Sequence, residues 1–398
     1  MSGPIGKPTP YIDGVQKVTG KAMYTDDYRF PNMLYVGLLR SPHAHAHIKH
    51  IDTSAAETYP GVSAVTVGTD LPISFGILPI SSDENAMAVE KVRYVGEIVA
   101  AVAAETMEAA QKGAEKIIVE YDPVRAFIDP GDSLEVCDPA EQIHSHTKGG
   151  KNIHKTAELR FNEPEKALEQ SPFKRTESFK FAGVTHAFTE PHSTIAIWNG
   201  DETLTVISAT QVPHYLHRNL SKVLELPMHR IQVKKPALGG GFGGKSDPFA
   251  HEMITAYLSM KTKRPVKCTF TREEVFITNH GRHPTTMDMS VGCDNDGIIT
   301  ALDTDVIIDG GAYGSFGVVT SYYNGVLLQG PYKIDKLGFR TRRTYTNKPQ
   351  CGAMRGHGAV NPRYAVEVIL DMLAHDIGID PCDLRMKNFL SENTLTVG

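Results

Sequence analysis

Residues 239–247 read Gly-Gly-Gly-Phe-Gly-Gly-Lys-Ser-Asp, and no other stretch limits the chain so tightly. Five glycines surround one aromatic ring, so the backbone can approach another body closely and take angles closed to other residues. Three readings fit. Gly239, Gly244, Lys245 and Ser246 match the phosphate-cradling pattern G-x-x-x-x-G-K-[ST], while Gly239, Gly241 and Gly244 match the dinucleotide pattern G-x-G-x-x-G. The third is a glycine cradle that presses on a bulky cofactor while Phe242 projects into the site.

The flanks weigh against the first two readings. A strand, Arg230 to Val233, precedes the loop, and a helical pattern with Ile254, Leu258 and Met260 follows it. In a P-loop the helix already runs at the Lys-Ser pair. Here Asp247-Pro248 predicts an N-cap and a first-turn proline, hence a helix from Pro248 to Met260. Starting it at Lys245 would crowd Pro248 against the preceding turn, at a cost that reaches ~3 kcal/mol inside a helix. Asp309, closing Val306-Ile307-Ile308, is the available magnesium carboxylate for an ATP site on Gly239–Ser246, which stays as the rival. The dinucleotide reading lacks its acid: the strand Val266 to Phe270 runs through Thr271 and Arg272 before reaching Glu273.

Composition narrows the classes. The 398 residues carry a net charge of −5 without a basic block, so nucleic-acid binding has no electrostatic footprint. Met1 to Lys7 has no apolar leader, and no run approaches membrane-spanning length. Cys137, Cys268, Cys293, Cys351 and Cys382 form no C-x-x-C pair, which argues against an iron–sulfur cluster or zinc ribbon in this chain. That usage suits a reducing compartment, and the cytoplasm is the expected location.

Short strands with an intervening helix fill the first part: 33–39, 62–67, 97–104, a helix capped by Thr106, then 117–119. This is β-α-β grammar of an α+β domain over residues 1–135. Residues 136–151 read as linker, with polar and glycine-bearing stretches. A second domain over 152–398 carries strands 193–198 and 204–208. Its helices are expected at 213–225, 248–260 and 362–376 (the last capped by Asn361), with another near 380–390 and a polar tail from Ser391 to Gly398.

Several motifs stand in a fixed order: Ala209-Thr210-Gln211, the glycine loop, Thr271-Arg272-Glu273-Glu274, Gly310-Gly311-Ala312-Tyr313-Gly314, and Cys351-Gly352-Ala353-Met354-Arg355-Gly356-His357-Gly358. Together they resemble the molybdenum-binding subunit of the xanthine dehydrogenase and aldehyde oxidase family, with 4-hydroxybenzoyl-CoA reductase as the nearest likeness. Lys17 to Ala22 and Arg40 to Ala46 resemble that family's a/b hammerhead domain. The resemblance implies a hammerhead domain followed by the first molybdopterin-binding domain. It implies molybdopterin with molybdenum, in the cytosine dinucleotide form, and a redox reaction that hydroxylates an aromatic, heteroaromatic or acyl-CoA substrate or reductively dehydroxylates it. It also implies [2Fe–2S] and FAD on partner subunits.

By the same resemblance Gln211, Phe242 and Arg355 surround the metal, and Gly241, Gly243 and Gly356 line the cofactor. Ser246, Tyr323 and His357 face substrate, the last two as catalytic groups able to hydrogen-bond or protonate an oxygenated ring. Ser246 stands where purine-oxidising members carry glutamate, and Tyr323 where they carry arginine, so xanthine is not the expected substrate. Plainer readings exist: a solvated helix start for Gln211, a surface arginine for Arg355, core packing for Tyr323. The family's general base lies beyond this chain, so either the subunit is split into two polypeptides or the chain is incomplete. A cofactor-binding subunit without catalysis is a further alternative. His43, His45, His47 and His50 resemble a metal cluster but lack carboxylate or cysteine partners, and a structural role is expected. Glu190, between His186 and His192, is expected to support the site rather than to act as base.

Overall fold

Ile98 to Ala104 is buried at every position, and its small side chains let neighbours close on both faces, which puts it inside a sheet. The computed structural model describes residues 3 and 5–392; residues 393–398 of the expected polar tail lie outside them. The strands are β1 (Leu34–Arg40), β2 (Ala46–Asp52), β3 (Val62–Val67), β4 (Lys91–Val92), β5 (Ile98–Ala104), β6 (Ile118–Pro123), β7 (Ile153–Phe161) and β8 (Phe173–Phe181). They continue with β9 (Ser193–Trp198), β10 (Leu204–Ser208), β11 (Ile231–Lys234), β12 (Val266–Thr269), β13 (Thr285–Cys293), β14 (Ile299–Asp309) and β15 (Leu337–Thr344).

They form three sheets, and with the helices this is the expected α+β fold. The largest has the order β11-β10-β9-β12-β1-β5-β3, so it draws strands from both sides of the 136–151 segment; β1 pairs β12 in parallel. Its core is filled from the helices Pro213–Val223 and Ala250–Thr262 by Leu216, Leu220, Met253, Ile254 and Leu258. The second sheet, β7-β15-β14-β13-β8, packs against the helix Val360–Ile377 through Ile369, Leu370 and Leu373. A small third sheet has the order β4-β2-β6.

Three local expectations change. The helix Met107–Ala114, capped by Thr106 as expected, leads from β5 to β6 in a different sheet, where β6 pairs β2 antiparallel. The β-α-β grammar was therefore right in order and wrong in pairing. Asp247 does not cap the next helix: that helix begins at Ala250, and the Glu252 carboxylate accepts from Phe249 N at 2.8 Å. Asn361 lies inside its helix, where its amide donates to His283 O at 2.9 Å and ties the helix to the start of β13. In both cases a long-range partner takes the side chain that local propensity assigned to a cap.

Candidate functional site

β10 and β11 are parallel neighbours joined through the helix Pro213–Val223, so the loops that follow them leave from one edge of the sheet. The first carries Gln211 and the second the glycine run. Gln211 Oε1 accepts from Gly243 N at 3.1 Å and Lys245 N at 3.2 Å, while its own backbone N donates to Lys245 O at 2.7 Å. The plainer reading of Gln211 as a solvated helix start fails. It braces the glycine loop.

Contact, more than flexibility, requires the glycines. A Cβ on Gly241 would lie 2.4 Å from Gln211 Oε1, one on Gly243 2.4 Å from Ala353 O, and one on Gly244 2.7 Å from the Phe188 ring. Phe242 sits at φ 53, a left-handed angle that costs a non-glycine residue about 1–3 kcal/mol and marks functional loops. Its ring is 46% exposed, with the Arg355 guanidinium carbon 5.4 Å from the centroid. Arg355 N donates to Phe242 O at 2.9 Å, so the 351–358 loop docks directly on the glycine loop. Arg282 holds that loop from behind, donating to Arg355 O at 2.5 Å and Gly356 O at 3.4 Å. His186 Nε2 donates to Ala353 O at 2.8 Å, and its Nδ1 accepts from Asn279 at 2.9 Å.

Lys245 decides against the phosphate reading. It is buried, its ammonium sits 2.8 Å from Glu190 Oε2, and it lies 4.8 Å from the centre of the Phe188 ring. Glu190 Oε2 also accepts from Gly239 N at 2.8 Å. The lysine thus clamps the loop from inside and cannot reach a phosphate, and residues 245–246 form a turn rather than a helix. Asp309 is taken by Lys348 and Thr346, at 2.5 and 2.6 Å. Ser246 Oγ donates back to Gly243 O at 2.5 Å, so its hydroxyl serves the loop.

Tyr323 lies on the helix Gly317–Val326, its ring edge-on to that of His357 at 5.7 Å between centroids. Gly358 makes this possible: a Cβ there would fall 2.4 Å from Tyr323 Cβ. Tyr323 is 40% exposed and its hydroxyl has no partner among the described residues, which is not how a core tyrosine sits. His357 Nε2 lies 2.6 Å from Thr320 Oγ1, which is also 3.2 Å from Phe316 O, so the ring is held by a hydrogen bond to the helix that carries Tyr323. Burial lowers the His357 pKa to about 4. Near neutral pH this favours the uncharged imidazole, a form suited to hydrogen bonding.

Residues not singled out from sequence complete the support. His280 Nδ1 and Ser315 Oγ both donate to Asp247 Oδ2, at 2.5 and 2.7 Å. Gln350 Nε2 donates to His280 Nε2 and to Glu84 Oε2, each at 2.6 Å, and burial raises the Glu84 carboxyl well above its ordinary range. The visible signal was the run Asn279-His280-Gly281-Arg282-His283, five polar or glycine residues between a helix and a strand. The histidines at 43–50 do not assemble: His45 is buried with Nδ1 2.6 Å from Arg125 O, and burial lowers its pKa to about 4.

At the apex of the loop the backbone N–H groups of Gly240, Gly241 and Phe242 have no acceptor among the described residues. Successive free amides on a glycine cradle suit a large anionic group. Residues 143–389 match the molybdopterin cofactor-binding domain family, and residues 19–125 match the aldehyde oxidase and xanthine dehydrogenase a/b hammerhead domain. The chain belongs to this molybdopterin-binding family.

Particular relatives sharpen the likeness. It is 34% identical to the nicotinate dehydrogenase large molybdopterin subunit of Eubacterium barkeri, over 96% of this chain and 89% of that one. It is 32% identical to a putative xanthine dehydrogenase molybdenum-binding subunit of Escherichia coli K12, of which it spans 51%. Among solved structures, quinoline 2-oxidoreductase from Pseudomonas putida 86 superposes with a TM-score of 0.90 at 28% identity, over 98% of this chain and 51% of that one. The chain therefore spans about half the length of the xanthine dehydrogenase subunit and of that oxidoreductase chain. No described helix is long and apolar enough to cross a membrane.

Proposed function

We propose that this chain forms, with further protein, the molybdenum site of an oxidoreductase that hydroxylates an aromatic or heteroaromatic ring or reductively dehydroxylates an acyl-CoA-borne one. The observation that carries the reading is the docking of the 351–358 loop on the glycine loop, with Arg355 beside the ring of Phe242 and three free amides at the apex. Gln211, Phe242 and Arg355 would surround the metal, and Gly241, Gly243 and Gly356 would let the cofactor, in its cytosine dinucleotide form, lie against backbone. When bound, the cofactor supplies two-electron redox chemistry.

The chain's own residues then orient substrate. Tyr323 offers a free phenol beside the neutral His357, a pair suited to an oxygen or nitrogen on a ring. Ser246 offers no charge, so nothing at that position would hold a purine as a glutamate could. The likeness to 4-hydroxybenzoyl-CoA reductase rests on Tyr323 and His357, whereas nicotinate dehydrogenase and quinoline 2-oxidoreductase are named for nitrogen heteroaromatic substrates. The general base would come from further protein, on this polypeptide or on a second one. Iron–sulfur and FAD-binding subunits would carry electrons away in a hydroxylation and deliver them in a reductive dehydroxylation. The five free cysteines fit a cytoplasmic assembly.

The test is elemental analysis of the protein purified with its native partners, followed by turnover per molybdenum on nicotinate-type rings and on hydroxybenzoyl thioesters. About one molybdenum per chain is expected, because the cofactor carries the chemistry. Bound nucleotide and magnesium without molybdenum would overturn the reading. Full molybdenum without turnover of either substrate class would leave a binding subunit and end the substrate assignment.

A further inference from the structure

Asp83, His144 and His146 each offer one ligand atom, and these lie within 4.8 Å of one another. Asp83 comes from the segment between β3 and β4, and both histidines from the stretch that joins the two halves of the chain. They line a cavity of about 670 Å³ together with Arg93, His154 and Tyr345. None belongs to the loops around Phe242.

Two of the three are already oriented from behind. His144 Nε2 donates to Ala312 O at 2.6 Å, which fixes the tautomer and leaves the lone pair on Nδ1. The Asp83 carboxylate accepts from Gly314 N at 3.0 Å and from the Tyr345 hydroxyl at 2.7 Å. A backbone carbonyl behind a ligating histidine, and hydrogen bonds on a ligating carboxylate, are the usual outer partners of metal ligands. His146 is exposed, with its ring centroid 5.0 Å from that of His144. Its Nε2 makes only a long contact, 3.4 Å, to the Tyr345 hydroxyl, so the ring can make the last adjustment that tetrahedral zinc with bonds of about 2.0–2.2 Å requires.

We propose that Asp83, His144 and His146 bind a divalent ion of the zinc class, fastening the linker between the two halves to the segment that precedes β4. Imidazole with carboxylate suits zinc and its neighbours better than calcium or magnesium, which prefer all-oxygen shells. Three protein ligands leave one position open to the cavity. Arg93 and Lys155 line the same space and oppose a bare dication. Arg93, however, is committed to Ile143 O and Lys91 O, each at 3.0 Å, and the fourth ligand can be an anion that these cations steady.

The experiment uses the purified complex, stripped with chelator and then titrated with zinc alone or with cobalt as a coloured probe. One zinc per chain beyond the molybdenum complement is expected, with a cobalt spectrum of low coordination number and a thermal midpoint raised by zinc. His146→Ala removes an exposed ligand. It should weaken zinc binding at least about tenfold and abolish the zinc-dependent rise, with molybdenum content unchanged. Asp83→Asn should do the same, and His146→Ala decides alone if Asp83→Asn does not fold. Zinc binding unaffected by His146→Ala, no saturable zinc binding, or binding of sulfate but not zinc would each overturn the proposal.

Discussion

Phe242 holds a left-handed angle that glycine would adopt freely, yet a phenylalanine occupies it. Phe242→Gly should therefore leave the thermal midpoint unchanged or higher while lowering turnover per molybdenum, a split that a purely structural ring would not give. Lys245 makes the opposite kind of prediction. Its side chain is fully buried against Glu190, so Lys245→Ala strands a carboxylate and should cost about 3–5 kcal/mol of stability in denaturant titration. Wild-type protein should show no ATP affinity for this change to remove, and calorimetry with ATP checks that directly. At Tyr323, removing only the hydroxyl should spare folding, because that hydroxyl has no internal partner. Tyr323→Phe is expected to lower turnover per molybdenum by about two to three orders of magnitude, with the thermal midpoint unmoved, if the phenol holds charge developing on the ring. A lowered midpoint with normal turnover would return Tyr323 to packing.

The elements explain why these residues meet. β10, the helix Pro213–Val223 and β11 form a crossover that delivers Gln211 and the glycine loop to one sheet edge. The helix Gly317–Val326 brings Tyr323, and it sits on β15 because Gly325 has no side chain: a Cβ there would lie 2.2 Å from the Phe339 ring, which is wholly buried. Gly325→Ala should cost about 1–3 kcal/mol or more by overpacking. It should also displace Tyr323, so thermal midpoint and turnover are expected to fall together. A stable variant with intact turnover would mean that the helix has room this packing denies.

Across the whole molecule, burial sets the response to acid. Among the described residues, burial lowers the pKa of eight histidines (His45, His144, His154, His186, His192, His251, His283 and His357). It raises five carboxyls (Asp83, Glu84, Glu97, Glu252 and Asp303), Glu252 to about 7. Each such histidine takes up a proton on unfolding between its ordinary pKa near 6.5 and its lower folded value, which removes stability as pH falls. Each raised carboxyl releases a proton on unfolding above its ordinary pKa, which removes stability as pH rises. The histidines are the larger set. Stability measured by denaturant titration should therefore fall from pH 7 to pH 5, and a rise over that window would show that the carboxyls dominate.

Much of this was legible in order along the chain. The motifs, the α+β class, the strands 62–67, 193–198 and 204–208 and the Thr106 cap all follow from short-range patterns, because backbone propensity and side-chain periodicity act within a few residues. Pairing was not legible, since β6 could join any edge that presented matching hydrogen bonds, and it joined β2 rather than the sheet of β5. Nor were the roles of Asp247 and Asn361, which satisfy partners 33 to 78 residues away instead of their own helix ends. The glycine run by itself allowed a phosphate loop, a dinucleotide loop or a cofactor cradle. Only the folded chain turned Lys245 inward onto Glu190 and set Ala353 against Gly243, because a buried ammonium must find its counter-charge and a missing Cβ lets another backbone close in.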